Sequence, residues 1–301
     1  MLTTEIAGLK LKNPTILAAG FLGTSASILK RVADSGAGAV TIKSIGPEPR
    51  EGNANPTVLC WGDGIINAVG LPTPGYKNMD REWQELEKID VPVIASFYAG
   101  SIDEFAEVAA AIVEHKPAML DVNIGCPNSK KHGDVFGKDP AVAGKLVNKI
   151  KEVAGKIPVM PKLTPNTDNM LEVAKACVDN GADAIAGFNT WGPGMVIDVN
   201  VRKPVMGFKT GGLSGPAVRP LMVKGIYDLY EKIDVPIVAV GGIMYGIDII
   251  EAMMAGATAV EIGSGIHYRG IDVFSKACAE TEAWMKKNGI KSLKELVGSA
   301  H

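Results

Sequence analysis

PIVAVGGIMYGIDIIEAMMAGATAVEIGSG, residues 236–265, carries two short apolar runs that each end in glycine, with a helical stretch between them. PIVAVGG (236–242) is apolar at each position between its proline and its glycine pair. It is too short for a typical helix, and Pro and Gly bound it. Such a run reads as a strand buried on both faces, which is what an all-parallel sheet requires. GIDIIEAMMAG then follows as an amphipathic helix, and AVEIGSG (259–265) opens the next unit before GIDVFSKACAETEAWMKKNG.

The same alternation runs back to the start of the chain. PTILAAG (14–20), AVTIKSI (39–45), PVIASFYA (92–99), MLDVNIGC (119–126), PVMPKLTP (158–165) and ADAIAGFNT (182–190) are each followed by a helical stretch. Eight strand-then-helix units fit a TIM (β/α)8 barrel better than an open doubly wound sheet. No linker or low-complexity tract interrupts them, so residues 1–301 read as a single domain. Three connections are long: 46–77, 127–139 and 191–214. All follow strand ends, which places them as elaborated βα loops on the face where barrels build their active sites.

The chain has 301 residues and a net charge of −2, so no global charge points to nucleic acid or to a membrane surface. Lys130-Lys131 reads as solvated loop charge. MLTTEIAGLKLKNP has a charge inside every apolar run and does not read as a signal peptide. No uninterrupted apolar stretch reaches the ~18 residues of a membrane span. The four cysteines, Cys60, Cys126, Cys177 and Cys278, form no C-x-x-C pair, which argues against a self-contained zinc or iron–sulfur site. A cytoplasmic setting is the expectation.

Polar residues at the C-terminal ends of barrel strands are the first suspects for chemistry. Gly241-Gly242 and Gly263-Ser264-Gly265 end the last two strands, where barrels frequently bind phosphate. Each could instead form a tight βα turn; two such sites at the two expected positions favour phosphate. Lys43 and Lys162 sit at the ends of strands two and five. A lysine there is costly unless it snorkels to the rim or meets a negative partner. Two of them suit a carboxylate substrate or a cofactor ring that gains negative charge on reduction. Asn67, Asn123, Asn128, Asn189 and Thr190 offer donors and acceptors for a planar ligand with amide and carbonyl edges, although each alone could be a turn residue.

Cys177 and Cys278 lie at apolar spacing on helices and read as packing residues. Cys60 carries no assignment, and His115, His267 and His301 show no usable pattern. Cys126 stands apart in DVNIGCPN (121–128), between a strand end and the polar loop HGDVFGKDP. A thiol can act as a base there, whereas nucleophilic use would want a histidine partner, and His132 lies on the loop itself.

With TIKS (41–44), NAVGLPTPG (67–75), NIGCPN (123–128), PKLTP (161–165), FNT (188–190), TGGLSGPAVRP (210–220), AVGGI (239–243) and IGSG (262–265), the chain resembles the dihydroorotate dehydrogenases over essentially its whole length. The resemblance implies FMN in the barrel mouth, its phosphate on Gly215, Gly241, Gly242, Gly263 and Ser264. It places Ala19 and Gly20 against the ring, with Ser44, Ser96 and Asn123 also at the flavin. It puts Lys162 at the pyrimidine edge and lets Lys43 reach both ring and substrate. Asn67, Gly70, Leu71, Asn123, Asn128, Asn189 and Thr190 would hold dihydroorotate. Cys126 would be the base that removes the C5 proton while hydride leaves C6, and loop 127–139 would close as a lid. The membrane-associated class of the family has serine in place of this cysteine and an N-terminal extension; this sequence shows neither.

TGGLSGPA and DVNVRKP look more like the NAD-linked branch than the fumarate-reducing homodimers. That branch implies a partner subunit with FAD and an iron–sulfur cluster, and a homodimer core or a heterotetramer. Gly125 and Ser96 depart from the family pattern, which has Ser and Asn there. Competing expectations are a dehydrogenase for another dihydropyrimidine, a flavin subunit without a substrate site, and a phosphate-sugar isomerase or aldolase barrel.

Overall fold

A computed structural model of the chain describes residues 1–125 and 136–301. Eight parallel strands close into a barrel: β1 Thr15–Leu17, β2 Ala39–Thr41, β3 Val93–Phe97, β4 Met119–Asn123, β5 Val159–Lys162, β6 Ile185–Gly187, β7 Ile237–Val240 and β8 Ala259–Ile262. They pair in chain order, and β1 closes on β8 through Ile16 opposite Glu261. Each lies within its expected apolar run, so the (β/α)8 architecture is found as read. Helices α1 Ala26–Asp34, α2 Asp80–Leu86, α3 Ile102–Val113, α4 Pro140–Ala154, α5 Met170–Asp179, α6 Arg219–Lys232, α7 Gly246–Met254 and α8 Val273–Lys287 follow the strands in turn.

The apolar faces of these helices pack on the outward side chains of the strands and form the larger core, with Leu120, Val122, Ile262, Phe105 and Met285 fully buried. A second core fills the barrel itself: Ile16, Ala39, Ile94, Met119, Met160, Val238 and Ala259. The hairpin Thr4–Ile6/Leu9–Leu11 closes the N-terminal end of the barrel by adding Ile6 and Leu11 to this interior. Burying a large aliphatic side chain contributes about 1.5–3 kcal/mol, so the plug stabilises an end that would otherwise be open to water.

Two of the long connections, read from sequence as elaborated βα loops, are ordered together. Segments Val58–Trp61, Gly64–Asn67, Gly211–Ser214 and Trp191–Gly194 form one antiparallel sheet, with Gly212 opposite Asn67. Among the described residues no helix is long and apolar enough to cross a membrane.

Candidate active site

The C-terminal mouth of the barrel opens into a cavity of about 390 Å³. Ala19, Gly20, Lys43, Ser44, Asn67, Gly70, Leu71, Ser96, Asn123, Lys162, Asn189, Thr190, Gly241, Gly242, Gly263 and Ser264 all line it. These are all but three of the residues singled out from sequence. Gly215 stands just behind the wall, its carbonyl 2.9 Å from where a Cβ on Gly242 would lie, while its neighbour Ser214 faces the cavity. Cys126, Asn128 and most of the 127–139 loop fall outside the described residues.

A chain of hydrogen bonds fixes one wall. Ser44 Oγ lies 2.9 Å from Ser96 Oγ, and Asn123 Nδ2 donates to Ser44 Oγ at 3.4 Å. Asn189 Nδ2 donates to Asn123 Oδ1 at 3.2 Å, and the Thr190 N–H donates to Asn189 Oδ1 at 2.8 Å. Each amide is thereby set in a fixed orientation, as recognition of a planar polar ligand requires. Ser96 thus takes part in this wall despite its departure from the family pattern. Gly125 has a steric cause: a Cβ there would lie 2.8 Å from the Thr164 backbone nitrogen.

The NAVGL turn is held as firmly. Gly70 (φ +84°) and Leu71 (φ +57°) both adopt left-handed backbone, which is strained for leucine. Arg50 Nε donates to the Gly70 carbonyl at 2.6 Å and Tyr98 Oη to the Leu71 carbonyl at 3.0 Å. These bonds hold the strained pair at the cavity wall.

Opposite, Gly241 (φ +142°) and Gly242 (φ +74°) follow β7, and side chains there would strike Trp191 and Arg219. Two buried hydroxyls, Ser214 Oγ and Tyr268 Oη, have no hydrogen-bond partner among the described residues. Both adjoin Gly215, where a Cβ would lie 3.2 Å from Tyr268 Oη. Bare glycine backbone beside unpartnered hydroxyl donors is the composition of an anion cradle, and it fits the phosphate of a flavin mononucleotide.

The floor is charged. Lys162 Nζ donates a hydrogen bond to Glu261 Oε2, and both side chains are almost wholly buried. Asp121, fully buried, lies one layer deeper, with Ser96 beside it on β3. Burial pushes the Asp121 carboxyl up to about 7; Lys162 opposes the shift and Glu261 adds to it. Burial pulls the Lys162 ammonium down, but Glu261 and Asp121 outweigh it and leave the net shift upward. Lys162 was expected to meet a ligand; the structure also gives it two protein carboxylates. Sequence reasoning missed Glu261 and Asp121, together with Phe21, Trp191, Ser214 and His267 on the walls. Cys60, unassigned from sequence, lines the rim. A charged side chain inside an apolar strand run was the available signal for the two carboxylates.

Residues 1–285 match the family model described as dihydroorotate dehydrogenase. This chain belongs to that family. Within the dihydroorotate dehydrogenases it is similar to proteins named dihydroorotate dehydrogenase B (NAD(+)), catalytic subunit. The one from Methanocaldococcus jannaschii is 46% identical, with 100% of this chain and 98% of that protein covered. The Methanosarcina acetivorans protein is 42% identical, covering 99% and 95%. The Pyrococcus abyssi protein is 38% identical, covering 100% and 99%. The likeness is to the NAD-linked branch, as TGGLSGPA and DVNVRKP suggested.

Proposed function

We propose that this chain is the catalytic subunit of an NAD-linked dihydroorotate dehydrogenase, oxidising dihydroorotate to orotate in pyrimidine biosynthesis with FMN as its cofactor. One observation carries the proposal: residues scattered over eight strand ends converge on a single cavity with an anion cradle on one side, an amide wall on the other and a lysine in the floor. Its volume lies in the range of cofactor and substrate sites.

Gly241, Gly242, Gly263 and Ser264 would hold the FMN phosphate, with Gly215 behind them and the Ser214 and Tyr268 hydroxyls as further donors. FMN bound there would supply the hydride acceptor for C6 of the substrate. Lys162 would supply positive charge to a flavin that gains negative charge on reduction, in a buried setting where it acts more strongly than in water. Lys43, which lines the cavity, would meet the substrate carboxylate. Asn67, Asn123, Asn189 and Thr190 present fixed amide and hydroxyl groups to its ring edges, and Asn128 is assigned with them from sequence. Cys126, assigned from sequence, takes the C5 proton; with an ordinary pKa near ~8.5, a thiol serves as a base near neutrality far better than an alcohol. Electrons would then leave to a second subunit, whose existence the words "catalytic subunit" in the relatives' names support; the FAD and iron–sulfur cluster assigned to it come from the resemblance of this sequence to the NAD-linked branch.

A visible spectrum of the purified chain, followed by anaerobic addition of dihydroorotate, tests this. A yellow protein whose flavin band bleaches is expected. A colourless protein, or a yellow one whose band stays unchanged by dihydroorotate with its partner subunit present, would overturn it.

A further inference from the structure

Inside the barrel, beneath the cavity, one ammonium meets two carboxylates. Lys162 ends β5, Glu261 lies on β8 and Asp121 on β4. Glu261 accepts a hydrogen bond from Lys162 through Oε2, while its Oε1 and both oxygens of Asp121 have no hydrogen-bond partner among the described residues. The strands beside Asp121 offer Ser96 from β3 and Lys162 from β5, and Glu261 acts on it from β8; Lys43 lines the cavity above. With all three groups ionised the cluster carries one excess negative charge in a setting with little water. A buried pair of this kind is weak evidence for a purely stabilising role, because taking each ion out of water costs several kcal/mol.

We propose that Asp121 and Glu261 are positioning residues that set the charge under the cavity floor, and so set how strongly the site favours reduced over oxidised flavin. This rests on the assignment of FMN to the cavity. Lys162 alone would draw electrons onto the ring above it. Glu261 fixes the direction of its ammonium and cancels its charge, and Asp121 adds a further negative charge whenever it is ionised. The pair therefore weakens the preference for reduced flavin and leaves it a better electron donor to the next acceptor. Proton uptake by Asp121 removes part of this opposition.

The test is the two-electron midpoint potential of the bound FMN, measured on both sides of pH 7 in the wild-type protein, Glu261→Gln and Asp121→Asn. Glu261→Gln is expected to favour reduced over oxidised FMN by about tenfold, ~30 mV upward for a two-electron couple. Asp121→Asn is expected to shift it the same way above pH 7 and little below, where the wild-type carboxyl is already neutral. Each substitution is nearly isosteric, so either variant alone decides the matter if the other fails to fold. Variants that retain yellow FMN at the wild-type potential across the pH range would overturn this inference alone, even if their melting temperatures change. A wild-type protein that binds no FMN would overturn the cofactor assignment and this inference with it.

Discussion

One step of the pleat separates two chemically opposite halves of the barrel interior. On β4, Met119 points into the plugged end, and Asp121 and Asn123 follow at the next inward positions. Met160 gives way to Lys162 on β5, Ala259 to Glu261 on β8, Ile94 to Ser96 on β3 and Ala39 to Thr41 on β2. The backbone is the same ladder throughout. Two residues, about 6.6 Å of strand, take the interior from dry hydrocarbon to an ionised floor. The lower half holds the barrel closed, and the upper half spends part of that stability on chemistry.

Substitutions can break this contrast, and the largest effect is expected from the floor. Lys162→Met leaves Glu261 and Asp121 without their cation, at a cost of about 3–5 kcal/mol. Asp121 can recover part of this by taking up a proton, so urea unfolding should show the loss shrinking as pH falls below 7. Cys126→Ser should lower turnover at neutral pH by about 10²–10⁴-fold, as loss of a general base does, with an unchanged unfolding midpoint. Full activity in that variant would remove Cys126 from the mechanism.

The opposite pattern is expected from the lower half. Ile94→Ala should cost about 2–5 kcal/mol in denaturant unfolding while leaving the flavin spectrum of the folded fraction intact. Asp121→Asn probes the border between the halves. Asp121 ordinarily titrates at 3.8 and in the fold at about 7, so between these values the folded chain binds a proton that the unfolded chain has lost. Wild-type stability therefore falls across that window from this group and levels off above it. The stability of Asp121→Asn relative to wild type should rise from about pH 4 to 7 and then plateau; a flat difference would break the assignment. The smallest effect is expected from Ser44→Ala, which removes one link from the Ser96–Ser44–Asn123 chain and should cost about 1 kcal/mol with weaker substrate binding.

The lower half and the outer core were legible in the sequence, because a strand buried on both faces must be apolar on both. PIVAVGG and its counterparts announce themselves that way. The site was legible where a residue type is rare for its place: glycine pairs at strand ends and lysine in an apolar run; Cys126, singled out in the same way, lies outside the described residues. Glu261 was passed over because AVEIGSG is otherwise apolar and its partner lies on β5, 99 residues away, reached only once the barrel closes. The sheet over the mouth was hidden for a related reason. Its strands are four residues long and three of the four carry glycine, and Asn67 meets Gly212 across 145 residues of chain. Local periodicity cannot report a pairing whose specificity resides in another segment.

The closing of β1 on β8 has a consequence for how the protein is made. Thr15–Leu17 emerges from the ribosome long before its partner Ala259–Ile262. Until then the nascent chain carries an apolar strand with one unpaired edge, and Ile6 and Leu11 have only part of the interior that they will plug. An open edge of this kind invites pairing with a neighbouring chain. Translation speed between these two segments and chaperone cover over that interval therefore bear on the yield of this enzyme.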